Sequence, residues 1–239
     1  LAPDGLLDLA APADPLLRSI IELTATPLTL TPTNTPASPP SHCDLLLDQG
    51  PIAAPYPPTL VQIDPDNRWS ILTSGAIPAV DIERLAAFSL LFVCTGNTCR
   101  SPMAEGLCRL LLAERLACHP DDLPAHGYLV ASAGVCAGPG MPAATNAAEV
   151  LRRRGGSLDH HASQPLTAHL VDQADLILTM TADHLDALLD LHPHAADRAR
   201  LLHADGLDID DPIGSSLSTY SQTADAIAHQ LHRLLDTLA

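Results

Sequence analysis

A short, mostly apolar run, Ser89-Leu-Leu-Phe-Val93, leads directly into Cys94-Thr-Gly-Asn-Thr-Cys-Arg100-Ser101, and that stretch leads directly into Pro102-Met-Ala-Glu105. Short runs of Leu, Phe and Val bounded by turn residues read as strands. Proline followed by helix formers reads as a helix start. Strand, tight loop and helix in this order commit the chain to an α/β arrangement: the strand must enter a sheet and the helix must return over one of its faces. The same order puts a thiol at the carboxyl end of a strand, where open parallel sheets form their sites.

The rhythm that begins here continues to the end of the chain. Strands are expected at about 89–93, 128–132, 174–179 and 199–202. Helices are expected over Pro102–Ala117, Ala143–Arg154, Ala182–Leu191 and Thr219–Leu238. Gly155-Gly156 and three arginines close the second helix. Tyr220, Ala224, Ile227, Leu231, Leu234 and Leu238 form one stripe of the last. The expectation is a three-layer α/β sandwich with a parallel four-stranded sheet and a phosphate-binding loop after strand one. A small partial α/β region precedes it. Thr24 to Pro40 reads as loop or extended chain, Leu45–Gly50, Thr59–Ile63 and Trp69–Leu72 as short strands, and Asp81–Ala87 as a short helix or tether. The expected division is therefore 1–85 and 88–239.

Composition removes several classes. The 239 residues carry a formal charge of −16, which repels nucleic acid and anionic lipid. No apolar stretch approaches the ~20 residues of a membrane-spanning helix. The same charge repels phosphate esters at long range, so a phosphate site must be local and preorganised. There is no lysine, hence no Walker-type loop, Schiff base or lysine base. The six cysteines (Cys43, Cys94, Cys99, Cys108, Cys118 and Cys136) are irregularly spaced. They read as the thiols of a reducing, cytoplasmic setting. The chain opens at Leu1 rather than at methionine, which reads as an excerpt or an unusual start. The twelve histidines show no metal-ligand spacing and read as solvated or capping side chains.

The loop itself has the parts of an anion site with a nucleophile at its floor. A helix N-terminus and an arginine favour the thiolate form of a nearby thiol. Thr95, Gly96, Asn97, Thr98 and Cys99 can aim backbone N–H groups inward as an anion nest. Gly96 permits positive φ and Asn97 tolerates it. Arg100 can fork two donors onto phosphate oxygens. Ser101 is expected to cap the helix, with Pro102 at its first position. An acid is also needed, because a basic leaving group departs poorly without a proton. Asp208-Ile-Asp210-Asp211-Pro-Ile-Gly214 offers three.

Val93-Cys-Thr-Gly-Asn-Thr-Cys-Arg-Ser-Pro-Met-Ala-Glu105, with Ser132-Ala-Gly134, Asp175-Leu-Ile-Leu-Thr-Met180 and Asp211-Pro212, resembles the low-molecular-weight protein-tyrosine phosphatase family over about 88–239. The resemblance implies a cysteine-dependent protein phosphatase that hydrolyses phosphotyrosine through a phosphocysteine, without cofactor or metal, on a phosphorylated protein partner. It makes Cys94 the nucleophile. Arg100 and the amides of residues 95–99 become the phosphate ligands, Asn97 the residue that holds the loop's shape, and Ser101 the partner of the thiolate. Asp211 becomes the acid, then the base. It also implies that Cys99 can form a reversible disulfide with Cys94. Two residues depart from the tyrosine-specific pattern. Ile213 stands where the family often has an aromatic residue. Thr98 resembles the protein-arginine-phosphatase branch, so phosphoarginine is the alternative substrate. Arsenate reduction shares the loop but needs further cysteines downstream, and none follows Cys136. A catalytically dead phosphate-binding module is the remaining alternative. The oligomeric state is not legible.

The first region resembles the carboxyl half of a YrdC-like threonylcarbamoyl-adenylate synthase domain, through Leu28-Thr-Leu-Thr-Pro-Thr-Asn34, Leu47-Asp-Gln-Gly50, Pro58-Thr-Leu-Val61 and Ile71-Leu-Thr-Ser-Gly-Ala-Ile77. Pro32-Thr33 and Thr73 replace residues usual in that family, and its basic nucleotide-binding half is absent. A complete chain then carries an inactive remnant; an excerpt comes from a synthase–phosphatase fusion.

Overall fold

The computed structural model describes residues 59–64 and 69–238. The proline tract and the strand expected at 45–50 lie outside them. Strands β1 (Leu60–Ile63) and β2 (Trp69–Thr73) pair antiparallel, and α1 (Ala79–Ala86) follows with none of its side chains buried. The Thr59 hydroxyl closes the connection, donating to Ile77 O at 2.7 Å and accepting the Gly75 and Ile77 N–H groups at 3.1 Å.

The main sheet is built from β3 (Phe88–Cys94), β4 (Tyr128–Gly134), β5 (Leu176–Thr179) and β6 (Ala199–Leu201). Its order is β4-β3-β5-β6 with every pairing parallel. The helices are α2 (Arg100–Leu116), α3 (Thr145–Arg153), α4 (Ala168–Gln173), α5 (Ala182–Leu191) and α6 (Leu217–Thr237). From β3 the chain passes first to a strand on one side and later to one on the other. The carboxyl end of β3 is thus the switch point where such sheets open a crevice.

Alternation along β3 divides the core in two. Leu90, Phe92 and Cys94 face a cluster that holds Met103, Leu107, Leu151, Ile227 and Leu231 from α2, α3 and α6. Leu91 and Val93 face Val171, Ile177 and Leu188 in a second cluster. Strands buried on both faces read as unbroken apolar runs, and this is the expected three-layer sandwich.

Local chemistry explains where the elements differ from expectation. Helix α6 begins at Leu217 because the Ser216 hydroxyl caps it, accepting the Thr219 N–H at 3.3 Å. Helix α2 begins at Arg100, with Cys99 at its N-cap and no side-chain cap. Ser101 is therefore not the cap and Pro102 is not the first helical residue. Proline is still tolerated there, since first-turn N–H groups have no intrahelical partner. The Ser101 hydroxyl is engaged elsewhere, as shown below. The arginines ending α3 are also more than solvated. Glu149 accepts from Arg152 and Arg153 at 2.9 and 2.6 Å, and Arg154 reaches Asp225 of α6 at 2.7 Å.

Candidate active site

Cys94 ends β3 and is buried. Its Sγ lies 3.0 Å from Ser101 Oγ in the first turn of α2. Between them the loop is held from outside by its carbonyls. Val135 N–H takes Cys94 O at 2.9 Å, Cys136 N–H takes Thr95 O at 2.9 Å, and Ala144 N–H takes Thr98 O at 2.8 Å. His161 Nε2 bonds Asn97 O at 2.7 Å. No N–H group from Gly96 to Cys99 donates to another described residue. A loop whose carbonyls are satisfied on its outer side and whose N–H groups are free is an anion nest at a helix N-terminus.

Asn97 sets the shape of that nest. It is fully buried at φ 52°, a conformation asparagine adopts more readily than most residues. Its Nδ2 donates to Ser101 Oγ at 2.9 Å and to Ser132 Oγ at 2.8 Å, and its Oδ1 accepts the Gln164 N–H at 2.9 Å. Ser132 donates onward to Glu105 Oε2 at 2.6 Å. Burial pushes the Glu105 carboxyl up, against the Ser132 hydroxyl, His161 and Arg109. Ser101 Oγ accepts from Asn97, and its own proton has two acceptors in reach, Ala133 O at 3.3 Å and the nearer Cys94 sulfur at 3.0 Å, which as a thiolate is the stronger acceptor.

Arg100 joins the nest to a distant loop. Its side chain is almost wholly buried; Nη1 donates to Ile209 O at 3.1 Å and Nη2 to Asp211 Oδ2 at 2.6 Å. The three acids of that loop are told apart by their partners. Asp208 accepts the Ala182 N–H at the start of α5 at 2.8 Å. Asp210 is exposed. Asp211 meets the arginine of the nest. Cys94, Arg100, Ser101 and Asp211 are thus brought together, with residues 95–99 forming the loop between them. The Thr98 side chain is half-buried, with Oγ1 3.7 Å from Cys99 Sγ. Cys99 Sγ lies 3.2 Å from the Tyr220 hydroxyl, which burial, with help from Cys99, holds above its ordinary pKa.

A family model described as low molecular weight phosphotyrosine protein phosphatase matches residues 89–239. The chain belongs to this phosphatase family. It is a hydrolase of that class. One relative, the protein-arginine-phosphatase of Bacillus subtilis (strain 168), is 38% identical over 156 residues, 62% of this chain and 95% of the relative. Another is the probable low molecular weight protein-tyrosine-phosphatase EpsP of Ralstonia nicotianae. It is 36% identical over 140 residues, 58% of this chain and 88% of the relative. Among solved structures, a YwlE mutant from Bacillus subtilis superposes with a TM-score of 0.56 at 36% identity, covering 64% of this chain and 99% of that one.

Sequence reasoning missed the residues behind the loop. Ser132 and Glu105 stand in stretches that carry the resemblance but received no role, and Gln164 and His161 carry no local signal, because the partners of all four lie elsewhere in the chain. The reading of His161 as solvated or capping is corrected: it bonds the Asn97 carbonyl. Among the described residues no group of three or more His, Cys, Asp or Glu side chains is arranged to hold a metal. No described helix is long and apolar enough to cross a membrane.

Proposed function

We propose that this phosphatase hydrolyses phosphotyrosine in proteins through a phosphocysteine intermediate. The observation that carries the proposal is the meeting of Cys94, Arg100 and Asp211 around one ring of N–H groups. The Cys94 thiolate, with Ser101 donating to it, attacks phosphorus in line. Arg100 and the loop amides bind the equatorial oxygens and stabilise the charge that develops on them. The phosphoryl group takes over Arg100 from Asp211. Asp211, released from Arg100, acts as the general acid and gives a proton to the leaving phenolate. The Asp211 carboxylate then draws a proton from water, whose oxygen attacks the phosphocysteine. Phosphate leaves and the thiolate is restored. Turnover of p-nitrophenyl phosphate by the parent, set against Cys94→Ser, tests the reading. Equal rates would leave a phosphate-binding module.

Phosphoarginine is a second reading, favoured by Thr98 in the nest wall and by Ile213, exposed and non-aromatic, beside Asp211. The Bacillus subtilis relative, a protein-arginine-phosphatase, supports it. Asp211 can face the positive guanidinium of such a group. Turnover of phosphotyrosine and phosphoarginine peptides by the parent and by Thr98→Ile decides between them. An unchanged preference in the variant refutes selection by Thr98. Residues 1–85 are read as a partial YrdC-like region without its own activity, set against a phosphatase domain over 88–239. ATP binding to the Cys94→Ser chain at that region would overturn this. The free thiols of Cys94, Cys99, Cys108, Cys118 and Cys136 support a reducing, cytoplasmic setting.

A further inference from the structure

His184 takes no part in the steps above, yet it is buried beside them. Its Nε2 lies 2.8 Å from Thr95 Oγ1 and its Nδ1 2.8 Å from Thr181 Oγ1. Thr181 caps α5 and accepts the His184 backbone N–H at 3.3 Å. Burial, then the Arg100 guanidinium, hold the imidazole below its ordinary pKa, with Asp211, Asp183 and Asp208 opposing. A neutral ring has one donor nitrogen and one acceptor. Either tautomer leaves one hydroxyl proton without a partner in the chain, and that costs less at exposed Thr95 than at half-buried Thr181, so Thr181 sends its proton to Nδ1. The ring proton then sits on Nε2 and is donated to Thr95.

Thr95 directly follows the nucleophile and is exposed at the rim of the nest. Its carbonyl is fixed by Cys136 and its hydroxyl oxygen by His184, which leaves the hydroxyl proton free. The turn that carries His184 also holds the acid loop, through Met180 O with the Ile209 N–H at 2.8 Å and the Ala182 N–H with Asp208.

We propose that His184 is a positioning residue: through its Nε2–H it orients the Thr95 hydroxyl at the rim of the nest as a further donor to the phosphoryl group. The proposal rests on the phosphatase reading above. Glutamine at position 184 can bring its amide nitrogen near the Nε2 position, whereas asparagine reaches only the Nδ1 position. The test is calorimetric binding of inorganic phosphate to the full chain, with kcat and KM for p-nitrophenyl phosphate alongside. His184→Asn and Thr95→Val should each weaken phosphate binding by about fivefold to tenfold, the worth of one hydrogen bond. The double variant should be no weaker than either single one, because both remove the same contact. His184→Gln should bind phosphate like the parent. Additive losses overturn the proposal, as does equal loss in the asparagine and glutamine variants. Parental binding by Thr95→Val, an exposed substitution that should not impair folding, also overturns it. A parent that binds phosphate without turnover refutes the phosphatase reading alone, and the binding arms still decide the role of His184. A parent that does not bind phosphate overturns both.

Discussion

Gly134 ends β4 against the back of the nest, and Gly134→Ala should cripple the site with the nucleophile, arginine and acid all intact. A Cβ on Gly134 would lie 2.5 Å from Thr95 O, 2.9 Å from Asn97 N and 2.8 Å from Ala137 Cβ. Two of these are backbone atoms of the nest itself and have no rotamer to adopt. Gly134 is not among the residues at positive φ, so alanine meets no conformational penalty and the effect is steric. To reach ordinary contact, the loop must retreat by roughly 0.5–1 Å. Displacement on that scale costs about 100-fold in rate, and overpacking costs about 1–3 kcal/mol of stability. Gly106→Ala is the control. Its Cβ would overlap Leu151 Cδ2, the far end of a flexible side chain rather than backbone of the nest. That variant should lose stability while each folded molecule keeps parental kcat/KM. The assay is kcat/KM for p-nitrophenyl phosphate and Ki for inorganic phosphate, with thermal midpoints for both variants. Parental kcat/KM and Ki in Gly134→Ala would show that the nest does not depend on this close approach.

Asp211→Asn should lower kcat by about 100-fold or more on a phenyl phosphate, as loss of a general acid does, and less on esters with better leaving groups; an equal loss on both would argue against proton donation. Asn97→Ala leaves Ser101, Ser132 and the Gln164 N–H without their shared partner and puts alanine at positive φ. It should cost roughly 3 kcal/mol in denaturant unfolding, and a loss below 1 kcal/mol would contradict the network. His184 has a folded pKa below its unfolded value of 6.5, so protonation favours the unfolded chain. Stability should fall as pH drops below about 6.5 towards the folded pKa; His184→Gln should flatten that slope, and an unchanged slope places the titration elsewhere. After peroxide, the parent should regain activity with added thiol and Cys99→Ser should not; equal recovery removes Cys99 as protector of the nucleophile.

The strands and the nest were legible because their signals are local. An apolar run buried on both faces marks β3 directly, and Cys94 through Ser101 are contiguous. Helix ends were legible only where a cap was recognised. Ser216 shifted α6 by two residues, and the start of α2 was displaced because Ser101 serves Asn97, the thiol and Ala133 O instead of the N–H groups of its own helix. Helix α4 and the turn of 3-10 helix at Pro120–His126 are too short and polar to show a period. The choice of Asp211 over Asp208 and Asp210 came from resemblance, not from the residues. The fold supplies the physical reason, since Arg100 meets one carboxylate and α5 takes another. His161 and His184 could not be found, and Ser132 stood in a matching stretch without a role, because each acts on a loop residue at least 35 positions away.

The contact between Arg100 and Asp211 gives the site a resident competitor. The arginine that must grip phosphate already holds a carboxylate, supplied at high effective concentration by the chain itself. An incoming anion has to displace it. A lone carboxylate or chloride offers the guanidinium nothing better than it has. A phosphoryl dianion can also engage the ring of N–H groups, which Asp211 leaves unfilled. The pairing therefore acts as a threshold on charge and shape, rejecting weak anions before chemistry begins. Removing the Asp211 charge should lower that threshold, so Asp211→Asn would bind inorganic phosphate more tightly while turning over less.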